Sequence, residues 1–298
     1  MKALQSPFAL WIYALLITLA AAYYQRVTGP TYPVRGEVVV NGETISFKLT
    51  RSHGGEGDQP VTITVGENIA GGTLVWRRYM SGDDWQRQPM RKDGSTLTGS
   101  IPHQPPAGKV EYRIELTSSS GSTVVFPEEP VITRFKGDVP LGFLLPHILA
   151  MFTAMFLSTR TALEALRKDG KPRTYAFWTL GLMFVGGIIL GPIVQKYAFG
   201  AFWTGIPFGT DLTDNKTLIA FAAWIIAAVA VRDGVNRKWW VVGAAVVTII
   251  IFSIPHSMAG SELDYKTGKM KNEGFSVVVE ESVKPSKMPG RYWFTSRL

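Results

Sequence analysis

Four histidines are all the imidazoles in this chain, and two of them occupy positions where an ionisable group is costly. His147 lies inside an apolar run and His256 lies at the end of another. His147, Met151 and Met155 are spaced i, i+4, i+8, which puts them on one stripe of a helix. Met258 follows His256 closely. Each of the two histidines follows a proline, Pro146 and Pro255, which removes a helical hydrogen bond and opens room for a polar group. Imidazole nitrogen with thioether sulfur is a soft donor set that suits Cu(I) or the iron of a haem b. Ionisable groups within a membrane span are functional candidates by default. A second concentration of signal is the segment 195–216, QKYAFGAFWTGIPFGTDLTDNK. It is too polar to span and too aromatic for an ordinary loop. Its Asp211, Asp214 and Lys216, with Glu262 further on, are candidates to orient an imidazole that binds a metal. The plainer reading is packing: methionines against neighbouring helices, His147 donating to a carbonyl, and the loop as an interfacial lid.

Five apolar stretches must position these groups. They run over about 8–24, 141–158, 175–194, 218–231 and 239–255, each near the length that crosses a bilayer core. The first, with Lys2 before it and small residues at 20–22, has features of a signal peptide and is read as an uncleaved signal-anchor helix. The fourth is short unless 213–217 adds a turn, for which Asp214 is the expected N-cap. Gly187 and Gly191 in the third form a G-x-x-x-G pattern, which permits close helix approach. Lys/Arg bias sets orientation. Arg160, Arg167, Lys168, Lys171 and Arg173 lie between the second and third stretches, and Arg232, Arg237 and Lys238 between the fourth and fifth. That side is expected to be cytoplasmic, in a bacterial inner membrane. The segment 195–216 and the tail then stand outside, and His147 and His256 share the outer face.

Residues 32–139 have a different texture. Short alternating runs such as VRGEVVV, ETISFKLT, VTITV and KVEYRIEL are separated by Gly, Pro, Asn and Asp. This pattern predicts an antiparallel sandwich of about seven strands, with Asn41-Gly42 as a hairpin turn. The stretch LVWRRYMSGDDWQRQPMRKDGSTLTGSIPHQPPAGKVEYRIEL resembles fibronectin type III and related immunoglobulin-like modules. Its aromatic strand at 75–79, Trp85, and the Tyr112 strand after a Pro-Gly-rich turn carry the likeness. The resemblance implies a fold, with Trp76, Tyr112 and Ile114 buried between sheets, and no activity. The whole chain also resembles an uncharacterised bacterial membrane-protein family through ITRFKGDVPLGFLLPHILAMF, GPIVQKYAFGAFWTGIPFGTDLTDNKT and IPHSMAGSELDYKTG, again with no activity implied.

The expected architecture is therefore a membrane α-helical bundle of about five spans with an inserted extracytoplasmic all-β sandwich. Its divisions are an anchor helix at 1–28, the sandwich at 29–139, the four-span remainder at 140–256 and an extracytoplasmic tail at 257–298. With 298 residues, no cysteine and 18% charged residues, the chain has no cysteine nucleophile, disulfide framework or thiolate metal site. The +8 net charge is spread rather than gathered into a stripe, so nucleic acid is not an expected partner. No Walker loop, dinucleotide fingerprint, zincin motif or nucleophile elbow occurs. Two functions follow. One is a non-catalytic membrane subunit or assembly factor that presents its β-domain to another extracytoplasmic or membrane protein, or to a further copy of itself. The other is a haem- or copper-binding protein with its site at the outer face. The topology is directly testable: reporter fusions at Lys168 and Ser119 should report opposite sides of the membrane, and same-side signals would refute the assignment.

Overall fold

The structure, a computed structural model, describes residues 6–233, 237–255, 260 and 262–270. Helix α1 (Pro7–Thr28) comes first, followed by strands β1 (Val34–Val40), β2 (Glu43–Leu49), β3 (Ser52–Gly54), β4 (Gln59–Thr64), β5 (Ile69–Arg78), β6 (Gln86–Pro89), β7 (Arg91–Asp93), β8 (Thr96–Ile101), β9 (Lys109–Ser118) and β10 (Thr123–Lys136). Helices α2 (Leu141–Leu166), α3 (Arg173–Met183), a π-helical segment (Phe184–Leu190), α4 (Gly191–Phe199), α5 (Leu212–Val231) and α6 (Lys238–Ser253) complete it. This order corrects the expected architecture. The fold is mixed, with 28% of the described residues in strands, arranged in several sheets. The β-rich region stands near the N-terminus, after a single helix and ahead of an unbroken block of helices, and is not inserted within a bundle. Four helices, Pro7–Thr28, Leu141–Leu166, Arg173–Phe199 and Leu212–Val231, are long and apolar enough to cross a membrane. Lys238–Ser253, with 16 residues, is shorter.

The strands form a two-stranded sheet β1-β2, a five-stranded sheet β3-β10-β9-β5-β6 and a three-stranded sheet β4-β8-β7. Alternation explains the packing: β4 reads buried-exposed throughout and β9 buries every second residue over most of its length, so one face of each turns inward. Val40, Ile45 and Leu49 from the first sheet, Val61, Ile63, Leu97 and Ile101 from the third, and Leu74, Tyr112 and Ile114 from the second meet in one core. Asn41 and Gly42 both have positive φ, as the hairpin turn requires. Tyr112 and Ile114 are fully buried, whereas Trp76 is only partly so, because its strand is flanked there by the exposed edge strand β6. The Tyr112 hydroxyl donates to the Thr50 carbonyl at 2.7 Å, tying β9 to the β2–β3 junction. Burial pushes this phenol's pKa well up, so it stays a neutral donor.

The helices owe one departure from regularity, and one unexpected burial, to identifiable residues. Pro192 has no N–H, and its ring clashes with the carbonyl four residues before it. The chain relieves this by widening over Phe184–Leu190, and the Gly191 N–H bonds the Gly186 carbonyl, the i→i+5 bond of a π-bulge. Arg160, expected in a cytoplasmic loop, is instead inside α2, which continues to Leu166. It is 1% exposed, 2.8 Å from Glu164, and its guanidinium lies between Trp11 and Tyr175 at 4.9 and 5.0 Å from the ring centroids. Cation–π contacts there join α1, α2 and the start of α3.

In thermal unfolding of the full chain, Tyr112→Phe should cost about 1 kcal/mol for the lost hydrogen bond, and Tyr112→Ala about 3–5 kcal/mol for the cavity. A neutral Tyr112→Ala would contradict its place in the core.

Candidate functional site

The ends of α1, α4 and α6 and the starts of α2 and α5 gather beside the β-rich region. Gln25 Nε2 of α1 donates to the Phe252 carbonyl at the end of α6 at 2.7 Å. Just beyond β10, the Gly137 N–H donates to the Ala198 carbonyl of α4 at 2.9 Å. Gly200, with φ of 90°, ends α4 in a left-handed cap. Between these elements lies a cavity of 390 Å³, within the range of small-molecule sites. His147, Met151 and Met155 line it from α2, Asp211 and Asp214 from the start of α5, and Arg134 from β10. The sequence-selected stripe on α2 and the two loop carboxylates are therefore brought together.

His147 Nδ1 donates to the Gly186 carbonyl at 2.8 Å. A carbonyl only accepts, so the proton is on Nδ1 and the Nε2 lone pair is left over; among the described residues Nε2 has no hydrogen-bond partner. This matches the plainer reading of His147 as a carbonyl donor. It is equally the arrangement in which a histidine offers Nε2 as a ligand. The π-segment glycines make the approach possible: a side chain at Gly186 would meet Met151 Sδ at 2.9 Å, and one at Gly187 would meet Thr217 Cγ2 at 2.7 Å. The G-x-x-x-G pattern thus serves packing within the chain, and the Met151 sulfur is seated in the glycine notch. Among the described residues no group of three His, Asp or Glu side chains is arranged to hold a metal ion.

The loop carboxylates are spent differently from expectation. The N-cap of α5 is Asp211, not Asp214: Asp211 Oδ1 accepts from the Thr213 N–H at 2.7 Å. Asp214 Oδ2 accepts from the Thr204 and Gly205 amides at 2.6 and 3.0 Å and from Gln195 Nε2 at 3.1 Å. Asn215 Oδ1 takes the Ile206 N–H at 2.7 Å. The 200–211 loop is thus folded down onto the first turn of α5, as the lid reading has it. None of these bonds reaches His147. Lys216 turns away, donating to the Ile254 and Pro255 carbonyls at 2.8 and 3.3 Å, where a cation satisfies the carbonyls at the end of α6. Glu262 pairs with Lys109 of β9 at 2.6 Å. His256, expected to approach His147, lies outside the described residues, as does Met258.

Sequence reasoning missed Arg134, the buried cation of the cavity roof. Its guanidinium lies 4.0 Å from the Phe199 ring centroid. Burial lowers its pKa to about 10, against which the carboxylates of Asp211 and Glu262 act. One arginine thereby couples the β-rich region to α4, to the start of α5 and to the tail. Its only sequence signal is a charge in the alternating run VITRFK, which reads as an exposed strand position. Tyr265, whose hydroxyl donates to the Lys109 carbonyl at 2.9 Å beneath the Arg78 guanidinium, secures the tail beside it.

Asp214→Ala leaves the Thr204 and Gly205 amides without their acceptor. It should cost about 1–3 kcal/mol for each amide left unsatisfied and speed proteolysis within 200–211. Unchanged cleavage there would refute the clamp. Compared with known proteins, the chain matches no family model and no curated sequence.

Proposed function

We propose that this chain is a non-catalytic binding subunit of the bacterial inner membrane, with its β-rich region and tail outside, and that its ligand occupies the cavity beneath Arg134. The observation that carries this reading is convergence: a buried arginine, two carboxylates, a histidine with a fixed tautomer and a wall of methionine and phenylalanine line one space. A few placed polar groups among apolar side chains are the usual composition of a small-molecule site. No nucleophile–base pair lies among them, which favours binding over chemistry. The topology rests on the Lys/Arg clusters at 160–173 and 232–238. The outer face, where residues 262–270 are docked on the β-rich region, is the surface for an extracytoplasmic or membrane protein partner.

A second reading is favoured by one specific contact. The His147 Nδ1 bond to Gly186 leaves Nε2 as a single nitrogen donor, which would suit a haem iron better than a copper site needing several protein ligands. A haem would supply electron transfer or gas binding, and His147 would hold it by that nitrogen.

One preparation separates the two. The full chain, released from membranes in mild detergent, is expected to carry one non-covalent organic adduct in native mass spectrometry. The cavity-filling variant Ala198→Trp should lose it. A Soret band or stoichiometric copper selects the second reading. No adduct of any kind, or an adduct unaffected by Ala198→Trp, would overturn the first.

A further inference from the structure

The cavity has a direction. Its α2 wall runs from Leu144 through His147, Ile148, Met151 and Phe152 to Met155, and its facing wall from Gly187 through Gly191, Val194 and Gln195 to Ala198. Each wall covers eleven residue steps, or about 16 Å of helix at 1.5 Å per residue. Both are stripes at i, i+3/i+4 spacing, the pattern of helices that pack together, yet here they enclose space. The charged groups gather towards one end: Arg134 and Asp211 lie at the β-region side with Gln25, His147 is close below, Thr217 sits further along against Gly187, and Met155 lines the far end. Ile148 and Phe152 on the wall are also exposed, at 39% and 49%, so the wall continues onto the apolar outside of the helices, which faces lipid when the chain spans a membrane.

Charge narrows the occupant. The lining holds one cation, Arg134, against two carboxylates, Asp211 and Asp214, so a phosphate or carboxylate head meets net repulsion. The Nε2 lone pair of His147 is an acceptor left open beside the apolar stripe, and it is matched by a hydroxyl. Resting on the reading of this cavity as a ligand site, we infer that its ligand is an uncharged, hydroxyl-headed amphiphile that enters sideways from the bilayer. Its hydroxyl donates to His147 Nε2 and its chain runs along the stripe from Ile148 to Met155. Membrane quinols and monoacylglycerols both have this chemistry.

The test uses the full chain, delipidated in detergent and titrated with four probes: decyl hydroquinone, its dimethyl ether, monolaurin and dodecyl phosphate. At least one hydroxyl probe should bind, and the stronger of the two identifies the source. The dimethyl ether should bind about tenfold more weakly than its parent, the loss of one hydrogen bond, and dodecyl phosphate weaker still. Met155→Trp should exclude all four. His147→Phe should bring the hydroquinone down to the affinity of its ether, and the wild-type ether comparison stands even where that variant fails to fold. Equal binding of hydroquinone and ether, or preference for dodecyl phosphate, would overturn the inference. Binding of none of the probes by a chain that still carries a membrane-derived adduct refutes the amphiphile and leaves the ligand site intact. Hydroxyl-probe binding that survives both Met155→Trp and Ala198→Trp places the ligand elsewhere and removes the cavity reading itself.

Discussion

The carbonyl oxygen of Gly186 is the point on which the half of the helices beside the β-rich region turns. Its two lone pairs take the Gly191 amide and His147 Nδ1. In a bilayer no water is available to satisfy a backbone group that loses its helical partner, so a proline-induced widening persists only if the freed groups find partners within the chain. Here one acceptor takes two donors from two helices. That bond fixes the imidazole's tautomer and angle, and holds the widened segment against α2 through glycines that have no room for a side chain. The cavity below Arg134 is what remains between α2 and α4 once that contact has set their spacing.

Much of this was written in recognisable local signals. Apolar runs located every long helix, since hydropathy over about twenty residues responds to a constraint no other environment imposes. The alternation of KVEYRIEL placed Tyr112 and Ile114 inward, and the i, i+4, i+8 stripe correctly put His147, Met151 and Met155 on one wall. What was not legible depends on distant partners. Asp211 and Asp214 are equally plausible N-caps by type; only the path of the 200–211 loop decides that Asp214 gathers its amides. Arg160 reads as the first residue of a basic loop, and its burial depends on Trp11 and Tyr175 arriving from two other helices. The position of the β-rich region, ahead of the helices rather than enclosed by them, was misjudged because pattern gives the kind of each segment but not how the segments group.

The helices carry buried charge at both ends, organised in opposite ways. At the end away from the β-rich region, Arg160 and Glu164 form a pair one helical turn apart, with Arg167 at 3.4 Å from Glu164 and the Lys171 amide donating to the same carboxylate at 3.1 Å. This cluster closes the α2–α3 connection. At the other end, Arg134 and its acidic neighbours come from three separate parts of the chain and border open space. The ion pair of Arg160 is local to one helix turn, with aromatic rings from two other helices around it, whereas the charges about Arg134 converge from three parts of the chain.

Helix α6 has a consequence for the surrounding lipid. Its 16 residues rise about 24 Å, against a hydrocarbon core about 30 Å thick. The carbonyls at its end do not meet water or headgroups unaided: Gln25 takes that of Phe252 and Lys216 those of Ile254 and Pro255. The helix therefore ends short with its backbone already satisfied by its neighbours, and a bilayer crossed by it would take up the deficit by thinning along that flank. Such a mismatch costs a fraction of a kcal/mol per ångström. In a bilayer so crossed, that flank would favour thinner membranes over thicker ones.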